Sequence, residues 1–173
     1  MLLVVVIGVL LGWMIHKARE QGIAVAALKE KGCLVSEGFD NAPLTAVERL
    51  RKLLGEHEPK NVRLVSRGAY KSLPLIDDAC MARLPGLPQL QCLFFDGTQV
   101  TDAGLAHLRG LPELRELSLD DTLITDAGLV HLQGLSSLRD FHISGTQVTD
   151  AGVQRLQNAL PNCKITHNRV GTR

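Results

Sequence analysis

The stretch Leu114–Leu135 reads LRELSLDDTLITDAGLVHLQGL, and the same pattern stands on either side of it. Thr98, Thr122 and Thr146 are 24 residues apart, as are Asp102, Asp126 and Asp150. Aligned on them, each unit reads L-x-x-L-x-L-x-x-T-x-[VI]-T-D-A-G-[LV]-x-x-L-x-x-L. The first unit runs from Leu90 through Leu93, Phe95, Val100, Leu105 and Leu108 to Leu111, and the third from Leu138 through Phe141, Ile143 and Val148 to Leu156. A fourth begins at Leu160 and keeps only Cys163 and Ile165. Upstream, Ile76–Met81 with Leu84 and Leu87 matches the second half of a unit, and Val62 and Leu64 suit its strand, followed by an insertion. A unit this short cannot bury its own leucines; stacked copies build one continuous core.

The alternation L-x-x-L-x-L turns leucines inward and the x positions outward, at the two-residue period of a strand. The fold class expected is α/β, a short right-handed leucine-rich repeat solenoid. Thr98, Thr122 and Thr146 replace the Asn common in such repeats, and their hydroxyls can bond backbone in the turn after the strand. Asp102, Asp126 and Asp150 precede A-G-[LV]-x-x-L and suit a helix N-cap, with Asp78 alike upstream. Cys163 takes a leucine position and reads as core rather than redox chemistry.

Working outward, Leu2–Ile15 reads LLVVVIGVLLGWMI, without a charged or polar side chain. At ~1.5 Å per residue it reaches roughly 21 Å, against ~30 Å of hydrocarbon. A cleavable signal peptide needs a basic start and a small-x-small site, and His16-Lys17-Ala18-Arg19-Glu20 follows instead. A buried core helix is the third reading, for which Val4-Val5-Val6-Ile7 is an odd opening. A signal anchor fits best, with Trp13 at the interface, Lys17 and Arg19 beyond it, and a few residues missing upstream. Basic residues after the segment place the repeats in the cytoplasm by the positive-inside rule.

The organisation expected is therefore a membrane helix over 1–16, a helical stalk and joint over 17–43, an N-terminal helix and degenerate first repeat over 44–87, repeats and cap over 88–168, and a tail over 169–173. Within the second, Gly32 ends a helix, Cys33–Val35 suits a strand and Glu37–Pro43 is a turn cluster. Thr45 and Glu48 form a capping box ahead of Val47, Leu50, Leu53 and Leu54. Arg49, Arg51 and Lys52 on the other face read as a solvated surface or, more sharply, as an anionic-lipid contact.

This pattern resembles the bacterial leucine-rich repeat proteins with T-D-A-G-L repeats, abundant in planctomycetes. The Gly12-Trp13 end of the apolar run, Lys17–Glu20, Ala24–Gly32 and Leu50–Gly55 resemble that family's upstream portion. The resemblance implies an N-terminal membrane anchor. The repeat half also resembles the leucine-rich units of F-box ubiquitin-ligase adaptors; no F-box segment precedes it here, so that role does not carry over.

Composition narrows the function. The 173 residues are 45% apolar and 21% charged, with net charge +1, so no global field draws the chain to nucleic acid. Aromatics at 3% are poor material for base stacking or small-molecule pockets. Four Cys without CxxC-type spacing exclude a zinc ribbon and a disulfide scaffold. Residues 88–168 carry five basic and nine acidic groups, so the repeats are the acidic part.

The outward strand positions form three columns: Cys92, Glu116, Asp140 and Asn162; Phe94, Ser118, His142 and Lys164; Asp96, Asp120, Ser144 and Thr166, with Asp121 beside the last. They make a concave acidic face with one aromatic, suited to a protein partner of basic or mixed charge. A repeat array without a specific partner is the competing reading. An enzyme is disfavoured: Asp140, His142 and Ser144 share one strand face, but i, i+2 neighbours lie ~6.6 Å apart, too far for a relay. His107 and His131 fall at equal places in successive units, and Arg155 breaks the series, so they read as surface histidines rather than a metal site. No cofactor, nucleic-acid or small-molecule motif stands in the chain.

Overall fold

The computed structural model describes residues 2–31, 33–37, 62–67 and 76–168. Helix α1 spans Leu2–Glu30, followed by strands β1 (Cys33–Glu37) and β2 (Val62–Arg67). The repeats then alternate short helices with short strands: α2 (Asp78–Met81), β3 (Cys92–Phe94), α3 (Asp102–Leu105), β4 (Glu116–Ser118), β5 (Asp140–His142), α4 (Asp150–Ala159) and β6 (Lys164–Thr166). The helix expected at Thr45–Leu54, its basic face, Gly32, most of the 37–43 turn cluster and the tail lie outside the described residues.

The strands form one sheet in chain order, β1 antiparallel to β2 and β2 to β6 all parallel. Successive repeat strands pair at the 24-residue step, Cys92 with Glu116, Glu116 with Asp140, and Asp140 with Lys164. This is an α/β, leucine-rich-repeat-like fold. The inward residues Leu93, Phe95, Leu117, Leu119, Phe141 and Ile143 are fully buried and meet Leu105, Leu108 and Leu132 from the opposite wall. Val65 of β2 is buried opposite Leu93, so the degenerate first unit joins the same stack.

The opposite wall is mostly tight 3₁₀ turn, over Leu84–Gly86, Ala106–Gly110 and Gly128–Leu132, and becomes a ten-residue α-helix only at α4. That longer turn shifts the last unit. Leu160 and Cys163 are buried, as expected of a leucine position. The strand nevertheless keeps the 24-residue register, so Lys164 stands beside Asp140 and Thr166 beside His142. The fourth-unit placement read from Leu160, Cys163 and Ile165 is thus two residues out of step.

The T-D-A-G motif is a link between repeats. The N-caps are Asp77, Thr101 and Thr149, not the Asp residues that follow them. Asp78, Asp102 and Asp126 instead reach the next repeat. Asp78 accepts the Thr101 amide and hydroxyl at 2.8 and 2.6 Å, and Asp102 accepts those of Thr125 at 2.9 and 2.6 Å. Asp126 does the same for Thr149. The Gly of each motif leaves the space the previous carboxylate fills: a Cβ on Gly104, Gly128 or Gly152 would collide with Asp78, Asp102 or Asp126. The Thr hydroxyls at 98, 122 and 146 donate to the carbonyls of Phe95, Leu119 and Ile143 at 2.6, 2.6 and 2.8 Å, as expected.

Both ends of the stack are finished differently from its middle. Ala24, Val25 and Leu28 of α1 are buried in the core, so this part of the segment expected as a helical stalk and joint packs against the repeats. At the other end His167 occupies the place held by Phe95, Leu119 and Ile143 in earlier units. Its Nε2 donates to the Val148 carbonyl at 3.1 Å, and Nδ1 lies 3.4 Å from Asp150. Equivalent carbonyls in earlier turns, Ile76, Val100 and Ile124, accept an amide from the next repeat.

Among the described residues, no helix is long and apolar enough to cross a membrane. In α1 the apolar run ends at Ile15, and Lys17 stacks over the exposed Trp13 ring at 4.9 Å.

Candidate functional site

The strand face is built from three registered columns, because parallel pairing carries each outward position onto its equivalent 24 residues on. The first holds Cys92, Glu116, Asp140 and Lys164, and the second Phe94, Ser118, His142 and Thr166. The third holds Asp96, Asp120, Ser144 and Asn168. Asn162 therefore leaves the face, Lys164 moves to the first column, and Asn168 joins. The constant step of 24 residues could have found both changes; the leucine pattern, disturbed by α4, hid them.

The third column is internally committed. Asp96 accepts the Ser118 hydroxyl at 2.5 Å and the Asp120 amide at 3.0 Å. Asp120 accepts the Ser144 amide at 2.5 Å, and the Ser144 hydroxyl accepts the Asn168 amide at 3.1 Å. These side chains tie the turns after the strands to one another, in the same way that Asp126 ties Thr149. Ser118 is buried by its bond to Asp96.

The first two columns present the chemistry. Glu116 and Lys164 are exposed, and Cys92, Phe94, Asp140 and His142 are half-buried. Glu116 and Asp140 are registered opposite each other on adjacent strands, a like-charge placement, and Lys164 is registered opposite Asp140 on its other side. Burial raises the Cys92 thiol above its ordinary range, and the charge and hydrogen bond of Glu116 raise it further. Asp121 is exposed at the rim with φ of +54°, where the equivalent residues are Gly97 and Gly145. Its carboxylate lies against the Cα of Gly145, where a Cβ would collide with it.

The two look-alikes resolve geometrically. Among the described residues no hydrogen bond joins Asp140, His142 and Ser144; the Ser144 hydroxyl is occupied by Asn168. His107 and His131 are half-buried on the outer wall, and the buried Nδ1 of His131 has no partner. No group of three or more metal-ligating side chains occurs among the described residues. The other cysteines are interior. Burial, with Cys80 adding, pushes Cys33 up to about 12, and burial, with Asp140 adding, pushes Cys163 up to about 11.

No protein-family model and no curated protein matches the chain. Among solved structures it is similar to the Chaetomium Mex67:Mtr2 subunits, at 18% identity and a TM-score of 0.42, over 54% of this chain and 69% of that one. It is also similar to an internalin C2 from Listeria monocytogenes, at 24% identity and a TM-score of 0.39, over 56% of this chain. The chain spans about half the length of that internalin, 52%.

Proposed function

We propose that this protein is a membrane-tethered repeat module that binds a protein partner of basic or mixed charge through its concave strand face. The observation that carries the reading is the Glu116–Asp140 pair. Two acidic residues are registered opposite each other on neighbouring strands, beside the half-exposed Phe94 and His142. Like charges placed opposite one another cost stability, and a partner's cation seated between them would remove that cost. Phe94 supplies the apolar contact beside it. Lys164 next to Asp140 favours a partner carrying an acid as well as a base. Asp96 and Asp120 frame the site rather than contact the partner, because their carboxylates bond neighbouring turns. The reading is a binding module, not an enzyme. Leu2–Ile15 is the tether, and the positive-inside rule places the repeats in the cytoplasm.

The test is comparative capture by the full chain in detergent, wild type beside Glu116→Lys/Asp140→Lys. Asp120 is left intact to spare its bond to Ser144. Circular dichroism confirms that both fold. A partner held by the wild type alone, and released by salt, is the expected result. Identical capture by both proteins would leave a repeat array whose concave face binds nothing.

A further inference from the structure

The course of α1 across the end of the solenoid fixes which side of the repeats faces the tether. A Cβ on Gly86 would lie 3.0 Å from the Ala24 Cβ and 3.5 Å from the Glu20 carbonyl. The next part of α1, Ala27 to Lys31, lines a cavity with Ala79, Cys80 and Arg83, at the start of that same turn. Helix α1 therefore runs opposite to the Asp78–Gly86 segment. Strand β1 then returns antiparallel, with Cys33 opposite Arg67 at the end of β2. Traced backward, the apolar run leaves the solenoid on the edge where strands begin. The helix is unbroken there, and Glu20 is only five residues past Ile15, roughly 8 Å along the axis.

That edge differs in charge from its opposite. The connections entering β4 and β5 carry Arg109, Arg115 and Arg139 against Glu113 alone, and all three arginines are exposed. The connections leaving β3, β4 and β5, over 95–102, 119–126 and 143–150, hold six carboxylates and no Lys or Arg, with Arg155 of α4 reaching back to pair with Asp126. The solenoid is polarised across its strands, and its basic edge is the one turned toward the tether. A headgroup layer is roughly 5–8 Å deep on each side of the hydrocarbon. Glu20, about 8 Å along the helix from Ile15, and the Gly86 turn packed against it stand at the depth of that layer's surface, and the equivalent turns of later repeats continue that edge.

We infer that Arg109, Arg115 and Arg139 form a lipid-facing edge that rests against anionic headgroups and turns the acidic edge away from them. The inference rests on the tethering reading of Leu2–Ile15 and adds the orientation of the repeats. Juxtamembrane cations are drawn to such a surface, and the carboxylates on the far edge gain by being distant from it.

The full chain is reconstituted into phosphatidylcholine vesicles with and without phosphatidylglycerol. It carries a fluorophore at Gln133→Cys on the basic edge or Gln147→Cys on the acidic edge, in a Cys92→Ser background. A nitroxide on the lipid headgroup is the quencher, and co-sedimentation reports tethering separately. The expected result is quenching at position 133 and not at 147, strengthened by phosphatidylglycerol and lost in Arg109→Glu/Arg115→Glu/Arg139→Glu while the protein still sediments. Equal quenching at both positions, or quenching unchanged by the triple reversal, overturns the inference and spares the tether. Protein left in the supernatant of both vesicle types overturns both.

Discussion

Asp126 receives two hydrogen bonds from Thr149, 23 residues away: the backbone amide on Oδ1 and the hydroxyl on Oδ2, each at 2.7 Å. Arg155 adds a third contact at 2.8 Å. Thr149 is the N-cap of α4, so the carboxylate of one repeat holds the start of the next repeat's helix in place. Asp126→Ala leaves two part-buried donors unsatisfied, and urea unfolding should show a loss of about 1–3 kcal/mol.

The same carboxylate makes stability depend on acid. Burial works to raise Asp126, but the Thr149 bonds and the Arg155 charge outweigh it and hold the carboxyl below its ordinary value of 3.8. The folded chain therefore binds this proton less tightly than the unfolded chain. The stabilisation is whole above pH 3.8 and is lost as pH falls through the lower, folded value. In acid titrations of stability, Asp126→Asn should be flatter than wild type over that window, and the two should differ most at neutral pH.

Gly152→Ala sets two effects against each other. Helix propensity favours Ala over Gly by about 1 kcal/mol in a helix interior. Here the added Cβ would collide with the Asp126 carboxylate and displace it from Thr149. Overpacking and broken hydrogen bonds together cost about 2–4 kcal/mol, so the collision wins and thermal unfolding should show net destabilisation. A stabilised variant would mean that the motif's glycine answers to something other than the carboxylate.

Much of this was legible because the inward leucines recur at a step that survives in space. The period gave the parallel sheet, the buried set and the first three members of each column. It failed where chemistry acts between repeats. Thr101 and Asp102 are both good N-caps, and nothing local says that the Asp is engaged 23 residues downstream at Thr125. The last unit misled because α4 is a full α-helix, which moved Leu160 and Cys163 off the strand register. The docking of Ala24, Val25 and Leu28 was masked by the uniform apolarity that precedes them.

Thiol chemistry separates face from core. Cys92 should react first with a water-soluble disulfide reagent at mildly alkaline pH, because Cys33, Cys80 and Cys163 are buried with raised thiols. Burial is the main brake on Cys92 and Glu116 the second. Glu116→Gln should speed its labelling by about two- to tenfold. An unchanged rate would separate the two side chains and weaken the first column as a continuous surface.

Asp121 is the position where stability and function should part. Its backbone sits at φ of +54°, where Gly97 and Gly145 stand in the neighbouring turns. A side chain in that region costs on the order of 1 kcal/mol that Gly does not. The carboxylate is exposed at the rim beside the Asp120–Ser144 column of the same face. If it contributes to partner capture, Asp121→Gly should raise the urea midpoint, by up to about 1 kcal/mol in stability, and weaken salt-sensitive capture at once. A variant that is more stable and captures equally well would remove Asp121 from the proposed surface. A variant that loses stability would show that its contact with Gly145 outweighs the backbone strain.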